Sequence, residues 1–337
     1  MKHTITIEGG PAFAVDAEED ALLRGALRAG IGLPYECSVG GCGACRFDLL
    51  SGTMEDLWPQ APGLSERDRK RGKRLACQSR PGTDCTIKVR CADEHRPPVA
   101  PRRHRARLTG KRALTADMTE FSFSTDSPAD FLPGQYALLY PPHTPGARAY
   151  SMANLANGQG LWRFVVRRVP GGRGSHALFD AVAVGDALPL DGPYGNAWLR
   201  DPATAGREIV CISGGSGIAP MLSVATGALA TPGGPRVHFF DGARTRADLC
   251  GDRLLAEAVG APARLSYEPV LSTEPEDSDW PGARGFVHEA LERTLAQPLA
   301  RYEFYFAGPP PMVEAIQTLL MIKHQVPYQQ IHFDRFL

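Results

Sequence analysis

Three cysteines fall within nine residues of the stretch YECSVGGCGAC, at Cys37, Cys42 and Cys45, and a fourth, Cys77, stands alone in RLACQ. This C-x4-C-x2-C spacing with a distant partner is that of plant-type [2Fe–2S] ligation, in which thiolates hold the irons. Gly40, Gly41 and Gly43 let the loop curl so that backbone N–H groups point at the sulfurs and tune the reduction potential. No histidine lies in the loop, which disfavours a Rieske-type centre. Zinc is the alternative, but structural zinc usually takes two ligand pairs, and here the fourth cysteine is solitary. The other four cysteines read as core or surface thiols. Cys85 and Cys91 alternate along CTIKVRC and are expected on one buried strand face, ~20 Å apart and too far for a disulfide. Cys211 lies inside the apolar run IVCIS, and Cys250 follows a leucine.

A second constellation sits in RAYSMAN, where Arg148 and Tyr150 share one face of an expected strand and Ser151 follows. A guanidinium fork can hold a pyrophosphate bidentately, and a tyrosine ring can stack on a flat ring system. About twenty residues later, PGGRGSHALF is a glycine-rich turn opening a helix, whose free N–H groups and dipole suit a phosphate. Such a terminus is worth ~0.3–1 kcal/mol per favourable charge when exposed. Alone, Arg-x-Tyr on a strand is usually a solvated face, and the turn reads equally as one that holds no ligand. Together they offer an aromatic face, a guanidinium and a phosphate nest.

A third lies in VCISGGSGIAPML, which runs strand, glycine turn, helix. From Gly215 it reads G-x-G-x-x-P, the dinucleotide fingerprint with Pro220 in place of the third glycine. A G-x-S-x-G hydrolase elbow fails because Ile218 holds the last position. Further on, FFDGARTRADL presents Asp241, an acid that can accept both ribose hydroxyls and repel a 2′-phosphate, favouring NADH. Arg244 can instead meet that phosphate. A second glycine-rich strand end, FAGPPPM at 306–312, lies where ligands bind open α/β sheets.

These residues need three kinds of scaffold. HTITIE and PAFAVD flank Gly9-Gly10 as a hairpin, and AEEDALLRGALRAG follows as a helix with Leu22, Leu23, Ala26 and Leu27 on one face. Asp16 and Glu19 have capping-box spacing before that helix, and Gly30 is its expected stop. With the strands RFDLLSG and CTIKVRC this makes a small α+β unit over 1–95; the resemblance of its cysteine loop to plant-type ferredoxins implies a β-grasp fold for it. Proline- and arginine-rich residues 96–104 read as a linker, with a charged surface loop as the alternative. Short strands with turns over 105–203 (LTGKRAL, TEFSFSTD, QYALLYPP, RAYSMAN, LWRFVVRRV) and one helical stretch, SHALFDAV, predict an antiparallel β-barrel. Strands alternating with helices over 204–337 predict a doubly wound parallel sheet. The fold class is therefore multidomain, α+β and then α/β.

The order of these pieces resembles the reductase components of bacterial multicomponent oxygenases, which join a plant-type ferredoxin to a ferredoxin–NADP reductase-like pair of domains. FLPGQY, RAYS, GGRGS, GPYG, GGSGIAPM and AGPPPM look like that family's signatures in the family's order, over nearly the whole chain. GIGLPYECSVGGCGACRFDLLSG, LWPQAPGLS and IHFDRF look most like reductases of the carbazole dioxygenase type, which serve Rieske ring-hydroxylating systems. The resemblance implies FAD contacts at Arg148, Tyr150, Ser151, Val166, Gly172, Gly174 and Ser175, with Phe336 beside the flavin. It implies that Gly214, Gly215, Gly217, Pro220, Gly308 and Pro309 border the nicotinamide nucleotide, with Asp241 and Arg244 at its ribose. Two positions depart from the family pattern. Ala307 stands where a cysteine is common, so no thiol there is required for hydride transfer, and Asp241 replaces a common tyrosine.

The expected function follows from the cofactors, FAD, a [2Fe–2S] cluster and NADH. NADH gives two electrons as a hydride and an oxygenase takes them singly, so a flavin splits the pair and the cluster carries one per trip. No acid–base dyad is expected, and none of the nine histidines is assigned a catalytic role. The expected partner is a terminal oxygenase or an intermediary ferredoxin. Rival readings are a reductase for a di-iron aromatic or alkene monooxygenase, an iron–sulfur redox sensor, and a zinc-structured binding module. A formal net charge of zero gives no global pull toward nucleic acid. The absence of a run of ~18 apolar residues argues against a membrane span, and the start carries no apolar h-region, so a reducing cytoplasmic setting is expected.

Overall fold

The computed structural model describes residues 2–16, 21–201, 206–260 and 262–336. In the first unit β1 (Lys2–Ile7) and β2 (Ala12–Asp16) form the expected hairpin, with Gly9 at φ +69° in its turn. Five further strands follow: β3 (Arg46–Ser51), β4 (Met54–Asp56), β5 (Lys73–Leu75), β6 (Ser79–Pro81) and β7 (Cys85–Lys88). The main sheet has the order β2-β1-β7-β3-β5, with β1 and β7 parallel. Across it lies the helix Leu22–Arg28, whose Leu22, Leu23, Ala26 and Leu27 are fully buried against Ile5, Val15 and Ile87. Burying four such side chains stabilises by roughly 1.5–3 kcal/mol for each large one. The helix stops at Gly30, φ +72°, whose N–H donates to the Leu27 carbonyl at 3.0 Å. Glu19 of the expected capping pair lies outside the described residues. Strand β7 ends at Lys88, so Cys91 is half-buried beyond it while Cys85 is buried within it, and the two do not share a strand face.

The second unit is all antiparallel: β8 (Arg102–Ala113), β9 (Met118–Ser124), β10 (Tyr136–Leu139), β11 (Arg148–Ser151), β12 (Leu161–Arg167) and β13 (Ala187–Tyr194), in the order β11-β10-β13-β8-β9-β12. A bridge between Met152 and Phe164 brings the two outer strands together and rounds the sheet into a barrel. Phe121, Phe123, Trp162, Phe164 and Leu190 fill it. Strand β8 begins at Arg102, inside the stretch expected as linker. Its one helical stretch is a single turn, Arg173–His176, widening into a π-type turn at Ala177–Ala181.

In the third unit β14 (Glu208–Gly214), β15 (Val237–Ala243), β16 (Leu265–Leu271), β17 (Ala283–Arg284), β18 (Tyr302–Gly308) and β19 (Ile331–Arg335) form one parallel sheet. Its order is β17-β16-β15-β14-β18-β19. The chain winds outward from β14 to one edge and then restarts at β18 on the other side. That reversal opens a crevice beyond Gly214 and Gly308, where open α/β sheets bind ligands. Helices Ile218–Ala230 and Gly251–Val259 pack on one face, Val287–Thr294 and Pro310–Gln317 on the other. Gly217 is needed for this packing, since a Cβ there would sit 1.9 Å from the Ala307 carbonyl oxygen.

Glu303 of β18 ties the sheet edge together. One carboxylate oxygen meets Arg207 Nε and the other His332 Nε2, each at 2.8 Å, and the His332 ring stacks on Tyr305. Burial pushes the Glu303 carboxyl up, but the hydrogen bonds from His332 and Arg207 outweigh it and hold the group below its ordinary value of 4.5. A depressed carboxylate stabilises the fold above its unfolded value and loses that contribution as pH falls through its folded one. Thermal melts of the wild-type chain should therefore drop in midpoint below about pH 4.5. Glu303→Gln should start lower, by ~1–3 kcal/mol, and lose less over the same range. Parallel pH profiles for the two proteins would assign the acid sensitivity elsewhere.

Candidate functional site

A single cavity of about 1110 Å³ touches all three units. At one end it is lined by Glu36, Cys37, Val39 and Cys42, in the middle by Tyr136, Arg148, Tyr150, Ser151 and Val166, and at the other by Gly214, Gly215, Asp241, Arg244 and Pro309. The three constellations that lie far apart in the chain thus share one wall.

The cysteine loop places its sulfurs in two pairs. Cys37 Sγ accepts the Cys42 N–H at 3.4 Å, and these two half-buried thiols face the cavity. Cys45 and Cys77 are buried on the far side with their sulfurs 3.4 Å apart. Their strands explain the second pair: β3 starts just after Cys45, and the Ala76 N–H donates to the Cys45 carbonyl at 2.9 Å, docking the Cys77 turn there. The hydrogen bond from Cys42 pulls the Cys37 thiol down, as do N–H groups of Val39, Cys42 and Gly41, against burial. Those N–H groups are the donors that the glycine pattern predicts. Among the described residues no three His, Cys, Asp or Glu side chains converge on one point. Two pairs suit two irons with two thiolates each better than one four-coordinate zinc.

In the barrel, Arg148, Tyr150 and Ser151 all line the cavity from β11, whose backbone pairs with β10 so that Ser151 lies opposite Tyr136. Burial pushes the Tyr150 phenol up to about 12. Gly172 and Gly174 are the reason the glycine turn reaches this wall. A Cβ on Gly174 would sit 2.7 Å from Arg148 Cγ, so turn and guanidinium stem are in contact only because the side chain is missing. Ser175 is buried, accepting the Val169 N–H and donating to the Gly172 carbonyl, which holds the turn open toward Arg148. Phe336 lines the cavity where the Phe336 N–H donates to the Gly308 carbonyl at 3.0 Å.

At the nucleotide end Gly214 is pressed by Met312, whose sulfur would lie 2.5 Å from an added Cβ. Gly215, at φ +57°, abuts the Arg167 guanidinium. Gly217, Pro220 and Gly308 do not line the cavity; they pack the helix and strand behind it. Asp241 is buried with Oδ1 accepting from Ser213 Oγ and Oδ2 from Tyr267 Oη, both at 2.8 Å. Burial pushes this carboxyl up, with those hydrogen bonds opposing it. Each of its oxygens thus accepts one hydrogen bond from inside the protein while Asp241 also lines the cavity, and Arg244 is exposed at the cavity mouth.

Several site residues lie outside the sequence-derived set. The Tyr136 hydroxyl donates to the Glu36 carbonyl and is hydrogen-bonded to Ser38 Oγ at 2.7 Å, joining barrel and cysteine loop. Its ring stacks on Tyr194, which meets Tyr35 edge-on. Asp334 of β19 reaches the same loop, and burial, then Glu36 and Cys37, push its carboxyl up to about 7. Tyr136 and Asp334 both fall inside recognisable stretches, FLPGQY and IHFDRF, which was the available signal.

Comparison with known proteins agrees with this geometry. Residues 5–82 match the 2Fe-2S iron-sulfur cluster binding domain, 105–198 the oxidoreductase FAD-binding domain, and 211–318 the oxidoreductase NAD-binding domain. The chain is 44% identical over 318 residues to the ferredoxin–NAD(P)(+) reductase CarAd of Metapseudomonas resinovorans, covering 94% of each. It is 41% identical over 335 residues to the ferredoxin–NAD(+) reductase component of an alkene monooxygenase system of Xanthobacter autotrophicus, covering 98% of this chain and 99% of that one. Among solved structures, a ferredoxin reductase in carbazole 1,9a-dioxygenase superposes with a TM-score of 0.90 at 40% identity, covering 100% of this chain and 99% of that one.

Proposed function

The chain belongs to the flavin- and iron–sulfur-containing reductase components of multicomponent oxygenases, and on that premise we propose a residue-level route for its electrons. It is an NAD(P)H-dependent oxidoreductase with a [2Fe–2S] domain, an FAD domain and an NAD domain. Cys37, Cys42, Cys45 and Cys77 hold the cluster; Arg148, Tyr150, Ser151, Val166, Gly172, Gly174, Ser175 and Phe336 hold FAD. Gly214, Gly215 and Pro309 border the nicotinamide nucleotide from the crevice, with Gly217, Pro220 and Gly308 shaping its wall. When bound, FAD would supply the conversion of one hydride, two electrons at once, into single-electron transfers. The protein's part is to orient and to exclude water: Tyr150 offers its ring face, Arg148 and the turn at Gly172–Ser175 offer cationic and N–H donors, and Tyr136 braces the cysteine loop.

The observation that carries this reading is the continuity of the cavity from Cys37 and Cys42 through Tyr150 to Gly214 and Pro309. NADH is the proposed donor over NADPH. The support is Asp241, whose buried carboxylate lies beside the cavity as a local obstacle to a 2′-phosphate, although its oxygens already have protein partners. We place the protein in the cytoplasm with a Rieske dioxygenase or its ferredoxin as acceptor, on the strength of the carbazole-system relatives. No helix among the described residues is long and apolar enough to cross a membrane. A di-iron monooxygenase is the second reading, favoured by the full-length likeness to the alkene monooxygenase component.

The test is the purified chain itself. Flavin bands overlaid by broad red-brown absorption, two irons and one FAD per chain, and bleaching by NADH faster than by NADPH are expected. A chain that purifies without iron and isoalloxazine, and takes up neither, would end the proposal.

A further inference from the structure

The cluster site has an inner and an outer side, and only the inner one is accounted for. Cys37 and Cys42 face the shared cavity, where electrons arrive. The outer side of the cysteine loop is clasped by residues 57–64, LWPQAPGL. The Gly63 N–H donates to the Gly40 carbonyl at 2.9 Å, and a Cβ on Gly43 would sit 2.4 Å from the Gly63 carbonyl oxygen. A Cβ on Gly40 would lie 3.1 Å from the Trp58 ring. Trp58 thus rests on the cysteine loop and is still 44% exposed, with Leu57 at 37% beside it. Large apolar side chains left in water beside a redox site mark an interaction surface.

The rim of this patch is basic. Residues 66–74, ERDRKRGKR, hold six basic residues against two acidic ones in a chain whose formal net charge is zero. Ser65 caps the helix Glu66–Lys70 through a reciprocal pair with Asp68, and Arg69 reaches back to the carbonyls of Pro59 and Ala61, at 3.1 and 2.6 Å. The basic helix is therefore pinned to the Trp58 loop. Asp68 is taken up by Arg46 and Ser65, and Asp48 by Lys73. Arg67, Lys70 and Arg71 are exposed and make no ion pair among the described residues. Glu66 is the acid left beside them.

We propose that Trp58, Leu57 and the basic rim at Arg67, Lys70 and Arg71 form the docking surface for the acidic face of a ferredoxin-type one-electron acceptor. This rests on the reductase reading above and adds where the electron leaves. The occupant is argued from charge: a positive rim steers a negative partner at long range, and an apolar centre seats it.

The experiment uses the full chain with both cofactors bound. Acceptors are ferricyanide, a purified acidic plant-type [2Fe–2S] ferredoxin, and basic cytochrome c. The variants are Trp58→Ala and the triple Arg67→Glu, Lys70→Glu, Arg71→Glu. At low ionic strength the triple variant should raise KM for ferredoxin by ~10-fold or more and lower it for cytochrome c, with NADH–ferricyanide turnover and cluster absorption unchanged. Its ferredoxin KM should also lose the salt dependence of the wild type. Trp58→Ala should raise the ferredoxin KM at both low and high salt. An unchanged ferredoxin KM and salt profile in the triple variant overturns the surface while leaving the reductase reading intact. So does self-association of the chain that the triple variant abolishes, since the occupant would then be a second copy. A wild-type chain that fails to reduce ferricyanide with NADH overturns the reductase reading instead.

Discussion

Cys42→Ser should cut electron delivery to cytochrome c or ferredoxin by more than ~100-fold while NADH still reduces ferricyanide. Outer-sphere changes at metal sites cost roughly 10–100-fold, and removing a ligand exceeds that. Cys42 is the informative choice because of where it sits. Its thiol faces the cavity beside Cys37, and it accepts the Ala44 N–H at 3.4 Å, so the change falls on the side from which electrons arrive. The barrel and nucleotide sheet are untouched, because Cys42 packs within the first unit's loop. Visible absorption from the cluster should fall with the activity, and flavin bands should remain. Equal loss of ferricyanide reduction in a variant that melts like the wild type would mean that the cluster and flavin do not work as separate modules.

That separation explains why the chemistry was legible before the geometry. Thiolate ligation demands residue types at fixed short spacing, so Cys37, Cys42 and Cys45 announced themselves in one loop, and the sheet order only had to bring Cys77 back. Glycine turns at strand ends are equally local, and Gly172, Gly174, Gly214 and Gly215 line the cavity as their motifs suggest. What the chain's order hides is anything made by docking two units. Tyr136 and Ser38 are 98 residues apart, and nothing in either segment signals that one hydroxyl donates to the other. Asp241 is a parallel case. Its position after a glycine-turn unit suggests a ribose acceptor, and that spacing does not show that Ser213 and Tyr267, one on each neighbouring strand, donate to its oxygens. A carboxylate's partners across a parallel sheet depend on register, which sequence spacing does not encode. Edge strand β19 was likewise invisible as a strand, since IHFDR alternates too briefly to stand out.

The same logic identifies the contact on which the relay's geometry depends. Arg28 closes the first unit's helix and meets Asp191 of β13 bidentately, at 2.8 and 2.7 Å, with Arg103 at 4.0 Å from the same carboxylate. The Asp191 side chain is 1% exposed and Arg28 22%. Three residues on, Tyr194 stacks on Tyr136, so the ion pair and the ring stack together set how the cysteine loop faces the RAYS strand. Asp191→Ala takes away the bidentate acceptor of a largely shielded guanidinium whose bond to the Pro101 carbonyl, at 3.3 Å, remains; it should destabilise the interface by ~3–5 kcal/mol, because breaking a buried pair costs more than the pair contributed. The first unit should then melt before the other two, and cytochrome c reduction should fall while NADH–ferricyanide turnover holds. Replacing both partners, Arg28→Met with Asp191→Leu, removes the guanidinium along with its carboxylate and should recover most of the melting temperature. Recovery of electron delivery along with stability would show that apolar packing suffices to align the units. Recovery of stability alone would show that the bidentate geometry sets the approach of the cluster loop to the flavin wall. A single-step melt in Asp191→Ala, at the wild-type temperature, would exclude both.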